Sequence, residues 1–243
     1  MLCLPGFLST DNGMTQFMRK CLKEKGYDVY GWDSGRNMGF DENTAKALKK
    51  RLKEVYRKSG NKKVSLVGHS LGGVYARELA REFPEMVRDV ITMGSPFGML
   101  DDIDKGAFET VRRCYDYFNP GGGPLDEAGF EKRCLTPPPV PTTSIYSKKD
   151  GIVKWPASLN PVAPEVENVE VDGSHVGMAC NPLSITVILD RLAQPEGSWA
   201  PFDNKKYAHA VFPETDPEGK VPPNPGHKHD KDHSIFKKQK KGP

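Results

Sequence analysis

The run Val64-Ser65-Leu66-Val67-Gly68-His69-Ser70-Leu71-Gly72-Gly73 joins an apolar, strand-like segment to a serine bracketed by glycines, and the residues that follow, 74–83, are compatible with a helix. A serine at the tip of a strand–turn–helix elbow must adopt a strained backbone conformation. The positions two before and two after it then approach so closely that glycine suits both. Gly68 and Gly72 occupy those positions. The bare Gly-x-Ser-x-Gly pattern is weak in a chain with 24 glycines, where it arises by chance in loops. Its force comes from the strand before it and the helix after it. The competing interpretation makes Ser70 only the N-cap of that helix.

Toward the N-terminus, a helix is expected over 41–59, with Ala45, Leu48, Leu52, Val55 and Tyr56 on one face and Lys, Arg and Glu on the other, the basic face being solvated surface. Tyr27-Asp28-Val29-Tyr30-Gly31-Trp32 reads as a strand, followed by the turn-rich Gly35-Arg36-Asn37-Met38-Gly39. Arg36 is read as an ion-pairing loop residue, with substrate orientation as the alternative. Asp11 is placed to cap a helix in which Met14, Phe17, Met18, Cys21 and Leu22 recur at helical spacing, and Gly26 is its C′ stop. Met1-Leu2-Cys3-Leu4 reads as a short buried parallel strand feeding Pro5-Gly6-Phe7.

Toward the C-terminus, Pro84 ends the elbow helix and Val90-Ile91-Thr92-Met93 forms a strand that stops at Gly94. The segment 98–141 breaks the pattern: Gly121-Gly122-Gly123-Pro124 and Pro137-Pro138-Pro139 surround one amphipathic stretch, 108–118. It is read as a lid-like insertion or acyl-binding wall, or else as an ordinary long connection. Strands return at Thr143-Ser144-Ile145-Tyr146 and Val169-Glu170-Val171, and a helix over 182–192 closes the domain. The alternation predicts an α/β fold with a mainly parallel sheet of about six strands covered by helices on both faces.

At 243 residues the chain accommodates one sizeable core, assigned to residues 1–202, and a polar tail over 203–243 rich in Pro, Lys and His. The tail has too little apolar content to offset its ordering entropy, so it is expected to be flexible. His227, His229 and His233 resemble a metal-binding tract in composition only, and the lysine run at 237–241 reads as solubilising. A net charge of +3 from 35 basic and 32 acidic residues is too balanced to argue for a nucleic-acid partner. Five cysteines without a CxxC pair read as reduced thiols, a bridge between Cys114 and Cys134 being the disfavoured alternative. With no membrane-length apolar stretch and no signal-peptide pattern, the expected location is cytoplasmic, without stable membrane insertion.

A serine hydroxyl is a poor nucleophile at neutral pH and needs an imidazole to take its proton and a carboxylate to hold that imidazole. In an elbow of this kind the order along the chain is Ser, acid, His. Asp150 follows the 143–146 strand and His175 follows the 169–171 strand, each on a loop at the carboxyl edge of the sheet, where Ser70 also lies. Asp101 and Asp102 are the competing acids, while Asp33 would break the order. His69, at the variable position of the elbow, is expected to point away from the site. An oxyanion would be held by the backbone N–H of Leu71 at the helix start and by that of Phe7 after Gly6, with Leu8 as the neighbouring possibility. Phe7, Leu71, Ile152, Val153 and Trp155 would add an apolar, substrate-binding rim, although each also suits a core.

Taken together, Leu4-Pro5-Gly6-Phe7, Gly68-His69-Ser70-Leu71-Gly72-Gly73, Asp150-Gly151 and Ser174-His175 resemble the α/β-hydrolase superfamily, on its lipase and esterase side, over roughly residues 1–202. Segments 31–37 and 191–196 are similar to a group of little-characterised bacterial members. The resemblance implies hydrolysis of small-molecule or lipid esters through an acyl-enzyme, with Ser70, Asp150 and His175 as triad and with no metal or organic cofactor. Family members commonly carry strands before the oxyanion-loop strand, whereas Met1 begins inside it, so the expectation is a minimal hydrolase or one lacking its start. The alternatives are an acyltransferase using the same acyl-enzyme and a non-catalytic ligand-binding protein on the same scaffold.

Overall fold

The computed structural model describes residues 1–98, 105–121, 123–207 and 210–213. Five strands, β1 (Leu2–Leu4), β2 (Val64–His69), β3 (Val87–Met93), β4 (Thr142–Tyr146) and β5 (Val166–Glu170), lie side by side in that order, and every neighbouring pair is parallel. β1 and β2 are buried at every position, as continuous apolar runs covered on both faces should be. Their side chains alternate between two cores. Leu2, Leu4, Leu66 and Val90 join α2 (Glu42–Lys58), α3 (Leu71–Glu82), α4 (Lys105–Tyr117) and α5 (Glu127–Leu135) on one face. Cys3, Val67, Ile91, Ile145 and Val169 join α1 (Gln16–Glu24) and α6 (Pro182–Ala193) on the other.

The sixth expected strand is a single parallel bridge, Leu2 to Tyr30, on the side of β1 away from β2. The chain leaves the sheet there because the N–H groups of Trp32 and Asp33 donate to the Asp11 carboxylate, at 3.0 and 2.9 Å, instead of to a neighbouring strand. Asp11 is thereby taken from the capping role expected of it. α1 starts at Gln16 after an N-cap Thr15 whose side chain makes no capping bond, and Gly26 follows its C-cap with φ 88°. α2 keeps its expected ends: the Asp41 carboxylate accepts the Thr44 N–H at 2.7 Å, and Ser59 is the C-cap. Its inner residues Ala45, Leu48, Leu52 and Val55 are buried, each larger side chain contributing roughly 2 kcal/mol of apolar burial.

From β1 the chain crosses through α1 to Tyr30, then returns through α2 on the opposite face to β2. That reversal makes the carboxyl ends of β1 and β2 the topological switch point, the position at which open α/β sheets place their sites.

Within 98–141, α4 and α5 give Val111, Cys114, Tyr115, Phe118, Phe130 and Cys134 to the main core. The fully buried Glu78 of α3 ties them down by accepting from Arg81 and Arg133. Cys114 and Cys134 are free thiols. Packing also continues past 202: Phe202 stacks on Tyr207 at 5.6 Å and meets Phe212 at 5.1 Å, while the Tyr207 hydroxyl donates to Asp190 at 2.7 Å. Asp101, Asp102, His209, His227, His229, His233 and the lysine run at 237–241 lie outside the described residues. No helix among the described residues is long and apolar enough to cross a membrane.

Candidate active site

Ser70 stands between β2 and α3 with φ 52° and ψ −125°, a backbone conformation that L-residues rarely adopt. Two close approaches force it. A Cβ on Gly68 would fall 2.4 Å from the Gly72 carbonyl oxygen, and one on Gly72 would fall 2.3 Å from that of Leu4. The elbow is pinned to the next strand by the Ser70 N–H, which donates to the Met93 carbonyl at 2.8 Å. Although Ser70 sits at the N-cap position of α3, its side chain makes no capping bond, so capping does not explain the serine.

Asp150 follows β4 in a turn closed by its own N–H on the Ser147 carbonyl, at 3.1 Å. One carboxylate oxygen, Oδ1, accepts the N–H groups of Ile152 and Val153 at 2.9 and 2.8 Å. The other, Oδ2, is left for His175 Nδ1 at 2.7 Å. The side chains of the pair are 2% and 6% exposed, dry enough for the contact to be strong. The loop after β5 that carries His175 is tied to the loop after β4, because the Gly173 N–H donates to Ser147 Oγ at 3.2 Å, and to its own helix cap through Asn181 Nδ2 on the Asp172 carbonyl at 2.8 Å. Asp150 and His175, 25 residues apart in sequence, are thus in direct contact at the same sheet edge as Ser70.

His69 does not point away from this edge, contrary to expectation. Its Nε2 lies 2.8 Å from the His175 carbonyl oxygen, and the two imidazole rings are 4.9 Å apart. Burial, reinforced by the neighbouring His175, pushes its pKa down to about 4. The partner is 106 residues away, so no local pattern announces it.

The loop after β1 is clamped by Asn37, a residue to which sequence reasoning gave no role. Its backbone carbonyl accepts the Leu8 N–H at 2.7 Å and its N–H donates to the Ser9 carbonyl at 2.8 Å. Its buried amide donates to the Pro5 carbonyl at 2.9 Å and accepts from Gly39 N–H and the Tyr75 hydroxyl. The Leu8 N–H is therefore occupied, which leaves Phe7 as the candidate donor of this loop. Arg36 supports the same loop by donating to the Leu8 carbonyl at 3.2 Å, and among the described residues it makes no ion pair. Leu71 opens α3, where first-turn N–H groups lack helical acceptors.

Of the residues expected to line the rim, Ile152 is 68% exposed and Phe7 49%. Leu71 and Val153 are buried in the main core, and Trp155 stacks on Tyr146 at 5.8 Å with Lys148 over its ring. Asp33 is exposed and paired with Arg51 at 3.5 Å. The described residues contain no group of three or more His, Cys, Asp or Glu able to hold a metal.

Residues 1–118 match the family model described as alpha/beta hydrolase fold. A stretch of 54 residues is 37% identical to an uncharacterized protein of Saccharomyces cerevisiae, covering 22% of this chain and 8% of that protein's length. Among solved structures, the chain is similar to a monoacylglycerol lipase of Paleococcus ferrophilus, with a TM-score of 0.55 and 14% identity over 79% of this chain and 92% of that one. It is also similar to an esterase domain of a Rhodothermus marinus protein, with a TM-score of 0.53 and 20% identity over 79% and 83% of the two chains. The mouse alpha/beta hydrolase domain-containing protein 10 gives a TM-score of 0.51 and 20% identity over 79% and 86%. At these identities the likeness to solved structures is one of fold.

Proposed function

We propose that this chain, which has the α/β-hydrolase fold and matches its family model over residues 1–118, is a serine hydrolase of carboxylic esters, working through an acyl-enzyme on Ser70, His175 and Asp150. The observation that carries the reading is the 2.7 Å contact between Asp150 Oδ2 and His175 Nδ1 at the sheet edge where Ser70 takes its strained conformation.

With Nδ1–H donated to Asp150, the neutral imidazole presents its Nε2 lone pair as the base. Ser70 Oγ attacks the ester carbonyl carbon while its proton passes to His175 Nε2. The negative charge that develops on the carbonyl oxygen is met by the N–H groups of Leu71 and Phe7, fixed before reaction by the start of α3 and by the Asn37 clamp. The tetrahedral intermediate expels the alcohol, which leaves with the proton from His175. A water molecule, deprotonated by the same imidazole, then attacks the acyl-Ser70 carbonyl and frees the acid and the serine. The exposed apolar side chains Phe7, Leu8, Ile152 and Val176, each within two residues of Gly6, Asp150 or His175, favour an ester with an apolar acyl or alkyl group.

The test is labelling by a fluorophosphonate probe, with turnover of a p-nitrophenyl ester chain-length series alongside, for the parent protein, Ser70→Ala and His175→Ala. We expect labelling and turnover in the parent and neither in Ser70→Ala, with turnover in His175→Ala lowered by about 10³-fold or more. A folded parent that neither labels nor hydrolyses any ester overturns the reading.

A further inference from the structure

We infer that His69 is a positioning residue for the imidazole of His175: its Nε2–H, donated to the His175 main-chain carbonyl, fastens the loop bearing the base to the elbow bearing the nucleophile. The inference rests on the serine-hydrolase reading above and names a residue that reading does not use.

Geometry fixes the tautomer. His69 is 1% exposed, its Nε2 is 2.8 Å from the carbonyl oxygen, and its Nδ1, on the side facing Gly6, is buried without a partner among the described residues. A proton on Nδ1 would be a buried orphan donor and would leave the Nε2 lone pair against a carbonyl lone pair. The proton therefore sits on Nε2, and only an acceptor is left unfilled at Nδ1. The titratable groups facing the ring are His175 and Asp150. The first opposes protonation of His69, and the second only partly offsets the burial that keeps it neutral.

The bond restrains something that Asp150 does not. Asp150 holds the His175 ring from Nδ1 and so sets its tautomer and tilt. The His69 bond holds the main chain from which that ring springs. Because His69 and Ser70 are neighbours, a displacement of the elbow carries the His175 backbone with it, and the separation of nucleophile and base is preserved. A misplacement on the order of 1 Å costs about 10²-fold in rate, so a tether of this kind is worth its unfilled Nδ1.

The experiment compares His69→Gln, His69→Asn and His69→Leu with the parent and with Ser70→Ala. The Gln amide nitrogen lies as many bonds from the main chain as His Nε2, the Asn amide as many as Nδ1, and Leu offers volume without a donor. Tm, kcat and KM for a p-nitrophenyl ester, and the pH profile of kcat/KM are measured on each. We expect Asn and Leu to lower kcat by roughly 10- to 100-fold with KM within about twofold, and to displace the acidic limb of the profile. Gln should recover kcat to within about threefold of the parent. Equal kcat in all three variants, or a loss in Gln as large as in Leu, overturns the inference. Should Leu fail to fold, the contrast of Gln with Asn decides. An active Ser70→Ala would instead sink the serine-hydrolase reading itself, an outcome distinct from normal His69 variants beside a silent Ser70→Ala.

Discussion

At the carboxyl ends of the strands a buried carboxylate, Asp150, meets an imidazole, whereas at the amino end of β3 another, Asp89, meets the guanidinium of Arg88 at 2.6 Å. The amino end is rich in charge. A cavity of about 240 Å³ lies there among Arg88, Asp89, Glu165, Arg191 and Trp199. Yet its charges are answered by one another: Arg88 also donates to the Arg191 and Leu192 carbonyls, Ser65 donates to Asp89, and Arg191 pairs with Glu167 at 2.8 Å. Burial still lifts the Asp89 carboxyl above its ordinary range despite the guanidinium, as expected of a group held for packing. The carboxyl end has a strained serine at the same edge as its carboxylate–imidazole pair. Backbone strain together with an imidazole–carboxylate pair sets the carboxyl end apart and supports the proposed site there.

The comparison breaks first at Asp150. Asp150→Asn should lower kcat for a p-nitrophenyl ester by about 10⁴-fold, because the amide favours the wrong imidazole tautomer, while Tm measured on the same sample moves by only a few degrees. Retained activity would remove the distinction between the two ends. Next is Gly72→Ala, whose Cβ would press on the Leu4 carbonyl at 2.3 Å. We expect a stability loss of about 3 kcal/mol or more in urea unfolding, and a loss below 1 kcal/mol would mean that the elbow gives way easily.

The third prediction uses pH. The His69 pKa is about 4 in the folded chain, below its unfolded value, so between about pH 6.5 and pH 4 the unfolded chain binds the proton and the folded chain does not. Stability from this group is fully present above about pH 6.5, falls by roughly 3 kcal/mol as pH drops to about 4, and levels off below. Urea unfolding of His69→Gln should lack that share of the acid loss, and identical pH dependence would contradict it. Asp89 at the other end slopes the opposite way, since its raised pKa favours the folded state at acid pH and that contribution fades as pH rises through the folded value. The smallest effect sharpens the contrast: Arg88→Gln should cost about 2 kcal/mol in unfolding and leave kcat within about twofold of the parent.

What the sequence disclosed follows the range of the forces involved. The elbow was legible because glycine spacing and an apolar run are local, and the ends of α2 because Asp41 and Ser59 act within one turn of their own positions. The meeting of Asp150 and His175 at one sheet edge was legible from chain order and strand ends, which need no knowledge of contacts. Asp11 was misread because its pattern before a helix is that of a cap, whereas its carboxylate was claimed by N–H groups 21 and 22 residues onward. The same claim ended the Tyr27–Trp32 strand at one bridge. His69 and Asn37 were opaque for a similar reason, since each acts on a loop brought beside it only by the assembled sheet.

The order of the strands has a consequence for synthesis. Once α2 has carried the chain back past β1, each new strand docks on the outer edge of the one before it, from β2 to β5. A chain emerging from the ribosome can therefore build the sheet in the order in which it is made, without waiting for a later strand to enter the middle. Ser70 is bent into its elbow once β1, β2 and β3 are in place, whereas Asp150 and His175 arrive with the loops after β4 and β5. On the proposed roles, the nucleophile is thus in place while the base is still unmade, and a nascent chain that stalls before His175 would expose no active serine to the esters around it.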